Sequence, residues 1–172
     1  VRQLSPFHPF DDVKVFADLR VHGRQIVVEY RLEDPKKLVE DSLHSGQWTN
    51  WARANELWKT TCFEIFLGVP NESNYWEFNF SPAKEKWNLY AFDDYRAPQP
   101  PSPSEDFVLS MIQANGDILK CELNAKIPLT HMEAALTAVI RTQQESHYFS
   151  LKHAGTQPDF HLRDSFVVKI NH

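Results

Sequence analysis

Apolar residues that recur at every second position constrain this chain more than any other feature, because only a strand with one buried face aligns them on one side. Val13, Val15, Ala17, Leu19 and Val21 alternate in this way, and Ile26, Val28, Tyr30 and Leu32 repeat the pattern after the turn residues His22, Gly23 and Arg24. The two runs read as a hairpin. The same period returns in "TTCFEIFLGV", "NYWEFNFS" and "KWNLYAF", joined by "PNES" and "PAKE", and again in "FVLSMIQA" and "DILKCELNAKI" around Asn115 and Gly116. These segments predict a three-stranded meander and a second hairpin. Further on, "TAVIRTQ", "HYFSLKH" and "DSFVVKI" read as closing strands. Pro35 in "EDPKKLVEDSL" and the run "PLTHMEAAL" suit one or two short helices.

About ten short strands, with connections too short for crossover helices, predict an all-β fold: a two-sheet antiparallel β-sandwich. The segment "APQPPSPSED" carries four prolines, which cannot donate to a central ladder, and is expected to be an exposed loop. Dividing the chain there would leave two pieces short of core, so residues 1–172 are expected to form a single domain.

Charge narrows the choice of partner. With 18 Lys plus Arg against 23 Asp plus Glu, the net charge is -5 and the basic residues are scattered, which argues against nucleic acid. No window approaches the roughly 18 consecutive apolar residues of a membrane helix, and "VRQLSPFHPF" lacks the build of a signal peptide. A cytoplasmic protein is expected; a leader removed before Val1 stays open as the alternative. Of the two cysteines, Cys121 alternates with Leu119 and Leu123 while Cys62 keeps register with Glu64, so the thiols are expected to lie in different layers, unpaired.

The strand parity also places candidate functional groups. If Phe63, Ile65, Leu67, Trp76, Phe78 and Phe80 form the core, then Glu64, Glu77 and Asn79 share the opposite face with Cys62, Phe66 and Tyr75. Ser150 and Lys152 fall on a surface of the same kind. A sugar site needs this mixture, since rings pack on pyranose faces while carboxylates, amides and cations take hydroxyls. An ordinary solvated strand face is the alternative. Trp48, Trp51, Trp58 and Trp87 are candidate platforms, or plugs at the ends of the sandwich. Glu64 and Glu77 are the one carboxylate pair that suits acid–base chemistry on a sugar derivative, either serving as general base with His161 or Lys152 as partner.

"KHAGTQPDFHLRD" concentrates Lys152, His153, Asp159, His161, Arg163 and Asp164. Its two histidines lack a zinc spacing, so no metal is expected, and Arg163 pairing with Asp159 or Asp164 would equally well order the loop. The sequence carries no phosphate loop, nucleophile elbow or cysteine–histidine pair, and "NES" at Asn71 reads as a turn.

The runs "LWKTTCFEIFLGVPNESNYWEFNFSPAKEKWNLYAFDDYR" and "FSLKHAGTQPDFHLRDSFVV" together resemble the bacterial DOMON-like group related to family 9 carbohydrate-binding modules. The resemblance spans nearly the whole chain and implies a ligand-binding β-sandwich, with a sugar as the expected small-molecule partner. It implies ligand-binding roles for Trp58, Glu64, Glu77, Asn79, Trp87, Tyr95, Arg96, Lys152, His153, His161, Arg163 and Asp164. No catalytic residue and no cofactor is expected. Relatives of the group that bind haem use Met and His, whereas Met111 and Met132 fall outside the matching runs. An enzyme, or a haem-binding or interaction module, stands as the alternative.

Overall fold

A computed structural model of the chain describes residues 1–40, 43, 46–47 and 51–171. Trp48 lies outside the described residues. The strands in chain order are β1 (Arg2–Pro6), β2 (Lys14–His22), β3 (Gln25–Glu33), β4 (Gly46–Gln47), β5 (Ala52–Arg53), β6 (Cys62–Gly68) and β7 (Tyr75–Ser81). They continue with β8 (Lys86–Phe92), β9 (Ser102–Pro103), β10 (Phe107–Asn115), β11 (Ile118–Ala125), β12 (Met132–Arg141), β13 (Ser146–Ser150) and β14 (Val168–Ile170). Three single-turn 3₁₀ segments, Leu57–Lys59, Pro82–Lys84 and Arg163–Ser165, are the helical elements among the described residues.

The expected helices are therefore corrected. Pro35 sits in a turn, and the second half of "PLTHMEAAL" opens β12, where Met132, Ala134 and Leu136 continue an apolar strand face. Both predicted hairpins form. Gly23 and Gly116, with φ of 60° and 58°, each take the first position of a two-residue loop, a conformation that costs glycine nothing.

The all-β expectation holds, but the strands are not parted into two sheets. They follow one path, β4-β10-β11-β3-β2-β1-β13-β12-β6-β7-β8-β5, with β14 beside β12 and β9 beside β8. Strand β1 belongs to both halves: Arg2, Gln3 and Leu4 pair with β2, while Ser5 and Pro6 pair with β13. The β5–β8 pair is parallel and the other pairs are antiparallel. The path curls so that its halves face each other. Tyr30 on β3 lies 5.0 Å from the Phe63 ring on β6 and donates its hydroxyl to the Glu64 carbonyl at 2.5 Å.

One core cluster joins the halves, running from Leu4 and Val15 through Tyr30, Phe63 and Phe78 to Leu123, Leu136 and Ile170. All six residues assigned to the core by parity, Phe63, Ile65, Leu67, Trp76, Phe78 and Phe80, lie in it. Cys121 belongs to this layer and Cys62 to a second one; both thiols are free and buried. No helix among the described residues is long and apolar enough to cross a membrane.

Candidate functional site

Strands β6, β7 and β8 are buried on both faces. On the side away from the core, register aligns a polar row across neighbouring strands: Ser5 faces Ser150, Ser150 faces Thr137, Thr137 faces Glu64, Glu64 faces Asn79 and Asn79 faces Asn88. Glu64 and Glu77 thus point as parity predicts, but they are only 2% and 4% exposed, and Asn79 is 0% exposed. The alternative of an ordinary solvated strand face is thereby set aside. The cover of this polar row comes from distant parts of the chain. Phe160 and Phe166 from the C-terminal segment and Leu57 from the first 3₁₀ turn pack on Phe66, Tyr75, Tyr90 and Phe92 as a second apolar cluster.

Asp159 and Arg163 hold that cover in place. Asp159 accepts hydrogen bonds from Tyr95 Oη at 2.5 Å, Arg96 Nη2 at 2.9 Å and the His161 amide at 3.0 Å, which docks the segment on the loop after β8. Arg163 donates to the carbonyls of Val69, Glu72 and Asn74 at 2.9–3.0 Å and to Glu133 at 2.7 Å. Gly68 permits this, since a Cβ there would collide with the guanidinium. The partner of Arg163 is therefore Glu133, rather than the expected Asp159 or Asp164.

Between the cover and the polar row lies a pocket of about 830 Å³, a size usual for sites that hold small organic molecules. Glu64, Glu77, Arg96 and His161 supply polar wall; Trp58, Tyr90, Phe92, Tyr148 and Phe160 supply aromatic wall. Pro100, Pro101 and Pro103 close one side, which gives the proline-rich segment a place at the pocket rather than a purely solvent-exposed course.

The hydrogen bonds fix the orientation of the polar groups. Asn79 Nδ2 donates to Glu77 Oε1 at 2.9 Å, and Thr137 Oγ1 donates to Glu64 Oε2 at 3.3 Å. Tyr75 Oη accepts the Arg96 amide at 3.1 Å and lies 2.8 Å from His161 Nδ1. The other ring nitrogen, His161 Nε2, lies 3.7 Å from Glu77 Oε2. Tyr90 Oη accepts from Asn88 Nδ2 at 2.8 Å and donates to Asn55 Oδ1 at 3.0 Å.

Burial shifts the acidity of these groups strongly. It raises the Glu77 carboxyl to about 7, against smaller opposing contributions from Asn79 and Arg96. Burial and then the neighbouring Glu77 charge raise Glu64 well above the usual carboxylate range. Burial, reinforced by Arg96, lowers His161 to about 4, so its imidazole is neutral near pH 7. Two carboxyls that resist ionisation thus face one pocket.

Of the twelve residues singled out in sequence, the pocket gathers Trp58, Glu64, Glu77, Arg96 and His161. Asn79 supports Glu77 from behind, and Tyr95 supports Asp159. The others do not reach it. Trp87 belongs to the central core with the Arg53 guanidinium 4.7 Å from its ring, and Trp51 packs on the same core. Lys152 is exposed, and the Ser150 hydroxyl bonds to its backbone. His153 Nε2 lies 2.8 Å from the Ser5 carbonyl. Arg163 has the anchoring role described above, and Asp164 lines a separate shallow depression with Glu133 and Lys169. Sequence reasoning missed Asn55, Tyr90, Phe92, Tyr148 and Phe160. The first four had no signal beyond residue type; Phe160 lay inside the dense polar stretch between Lys152 and Asp164.

No group of three or more His, Cys, Asp or Glu among the described residues is arranged to hold a metal ion. The chain is similar in fold to the crystal structure of a candidate carbohydrate-binding protein from Bacteroides uniformis ATCC 8492, with a TM-score of 0.62 and 14% sequence identity. The alignment covers 96% of this chain and 83% of that one. At this identity the likeness is one of fold. No family model matches the chain, and no curated protein matches it in sequence.

Proposed function

We propose that the protein is a non-catalytic module that binds a carbohydrate in the pocket beneath its C-terminal segment. In this view the curled sheet is a β-sandwich of the DOMON-like kind related to family 9 carbohydrate-binding modules. The observation that carries the proposal is the composition of the pocket wall as a whole: buried carboxyls and Arg96 together with the rings of Trp58, Tyr90, Phe92, Tyr148 and Phe160. Such a wall pairs hydroxyl acceptors and donors with flat apolar surface. The fold shared with the Bacteroides uniformis protein supports it.

Trp58, 38% exposed at the pocket, is the natural reporter. A glycan panel screened on the purified chain, followed by fluorescence titration of each hit, should yield saturable binding that Trp58→Ala weakens at least tenfold. A blank panel sinks the proposal. A second reading, an enzyme acting on a sugar derivative, draws on the raised pKa values of Glu64 and Glu77 in the same pocket. Turnover of a bound glycan, lost in Glu77→Gln, would favour it.

A further inference from the structure

The carboxyls of the pocket lack a cationic partner for their ionised forms. Glu64 and Glu77 both line it, yet among the described residues no Lys or Arg lies within ion-pair distance of either carboxylate. Arg96, the cation of the pocket wall, is held by Asp159 at 2.9 Å. His161 has its Nδ1 taken by Tyr75 and is neutral near pH 7. Rings line the pocket around these acids: Tyr90, which pairs with Glu77 across β7 and β8, and with it Phe92, Phe160, Tyr148 and Trp58. Aromatic faces attract cations and add no charge of their own.

Resting on the carbohydrate reading above, we propose that the sugar is an amino sugar, a hexose whose protonated primary amine sits against Glu64 and Glu77. A sugar hydroxyl can bond to a carboxyl in either protonation state, but it cannot compensate the charge of the ionised form. An ammonium donates the same hydrogen bonds and also neutralises it. The carboxyls are pushed toward their protonated forms while the pocket lacks a cation; the bound ammonium favours the ionised forms and so expels a proton. Affinity for the amine therefore falls as pH drops below the Glu77 value of about 7. The other titratable groups facing Glu77 are Glu64, Cys62, Tyr75, Tyr90, Arg96 and His161, and Glu56, also on the pocket wall, is paired with Lys59. Of these, His161 stays neutral until pH falls to about 4, and Arg96 keeps its charge throughout.

The test is titration calorimetry of the full chain with glucosamine, N-acetylglucosamine and glucose at low salt. The acetyl group keeps the shape of the amine and removes its charge. Glucosamine should bind at least tenfold more tightly than the other two at pH 7, and its affinity should fall about tenfold by pH 5.5. Glu77→Gln and Glu64→Gln, each checked for an intact melting transition, should shrink the preference to threefold or less. Equal affinity for all three sugars overturns the inference and leaves carbohydrate binding standing. So does a hit elsewhere in the glycan panel with no binding of glucosamine. A preference that survives in both Gln variants also overturns it, and if neither the panel nor these sugars bind, both readings fall together.

Discussion

The two faces of β6, β7 and β8 are equally hidden from water and chemically opposite. Toward the centre stand Phe63, Ile65, Leu67, Trp76, Phe78, Phe80 and Leu89, a layer in which Trp76 contributes its indole N–H to Asp106 at 2.8 Å. Toward the C-terminal cover stand Glu64, Glu77, Asn79 and Asn88 among Phe66, Tyr75, Tyr90 and Phe92. The first face stabilises the fold by removing apolar area from water. The second sets carboxyls under a lid of rings, where desolvation works against their charge. Hiding polar groups of that kind carries a desolvation cost that the apolar face does not.

The sharpest way to break this contrast is to truncate one ring on each face. Phe78→Ala opens a void in the closed core and should cost about 3 to 5 kcal/mol by urea denaturation. Phe66→Ala, beside a pocket that can fill with water, should cost about 2 to 3 kcal/mol. Equal losses would mean that the two faces do the same work.

Acidity offers the next test. An acid raised from 4.5 to about 7 holds its proton in the native state over a range where the unfolded chain has released it. Stability from Glu77 is therefore present below pH 4.5 and lost as pH rises through 7, a change on the order of 3 kcal/mol. His161, lowered from 6.5 to about 4, acts in the opposite sense, because the unfolded chain binds the extra proton below pH 6.5. With two such acids and one such histidine, the wild-type chain should lose stability as pH climbs from 5 to 7.5. The Glu64→Gln/Glu77→Gln double variant should instead gain roughly 2 kcal/mol between pH 4.5 and 6.5, as His161 alone remains. Melting curves across this range decide it, and parallel slopes would place the carboxyls in water.

Smaller effects sharpen the role of the cover. Arg163→Ala releases three backbone carbonyls and Glu133, and should cost about 2 kcal/mol with faster amide exchange in residues 69–74. Trp58→Ala should leave stability within about 0.5 kcal/mol, since its ring is partly exposed, while weakening the proposed glycan binding at least tenfold.

Much of this architecture was legible in sequence because side-chain alternation is a local property. The parity of β6 and β7 predicted which of Phe63, Glu64, Phe78 and Glu77 shared a face, and both hairpins lay where glycine allowed a tight loop. Strand β1 was not legible: Leu4 is its one buried apolar residue, too little for a period to show, although this strand joins the two halves. Nor could parity say that the polar face would be covered.

Alternation along a strand depends on residues two apart, so the chain's order alone determined its β character, its core face and the side on which Glu64, Glu77 and Asn79 lie. The burial of those groups depends on contacts far apart in the chain, such as Asp159 with Arg96 and Tyr75 with His161. Those contacts form only when the sheet curls and brings the C-terminal segment over it. Tertiary structure thus turned a solvated-looking stripe into the floor of a pocket, because acidity and ligand chemistry follow from what lies above a carboxyl as much as from the carboxyl itself.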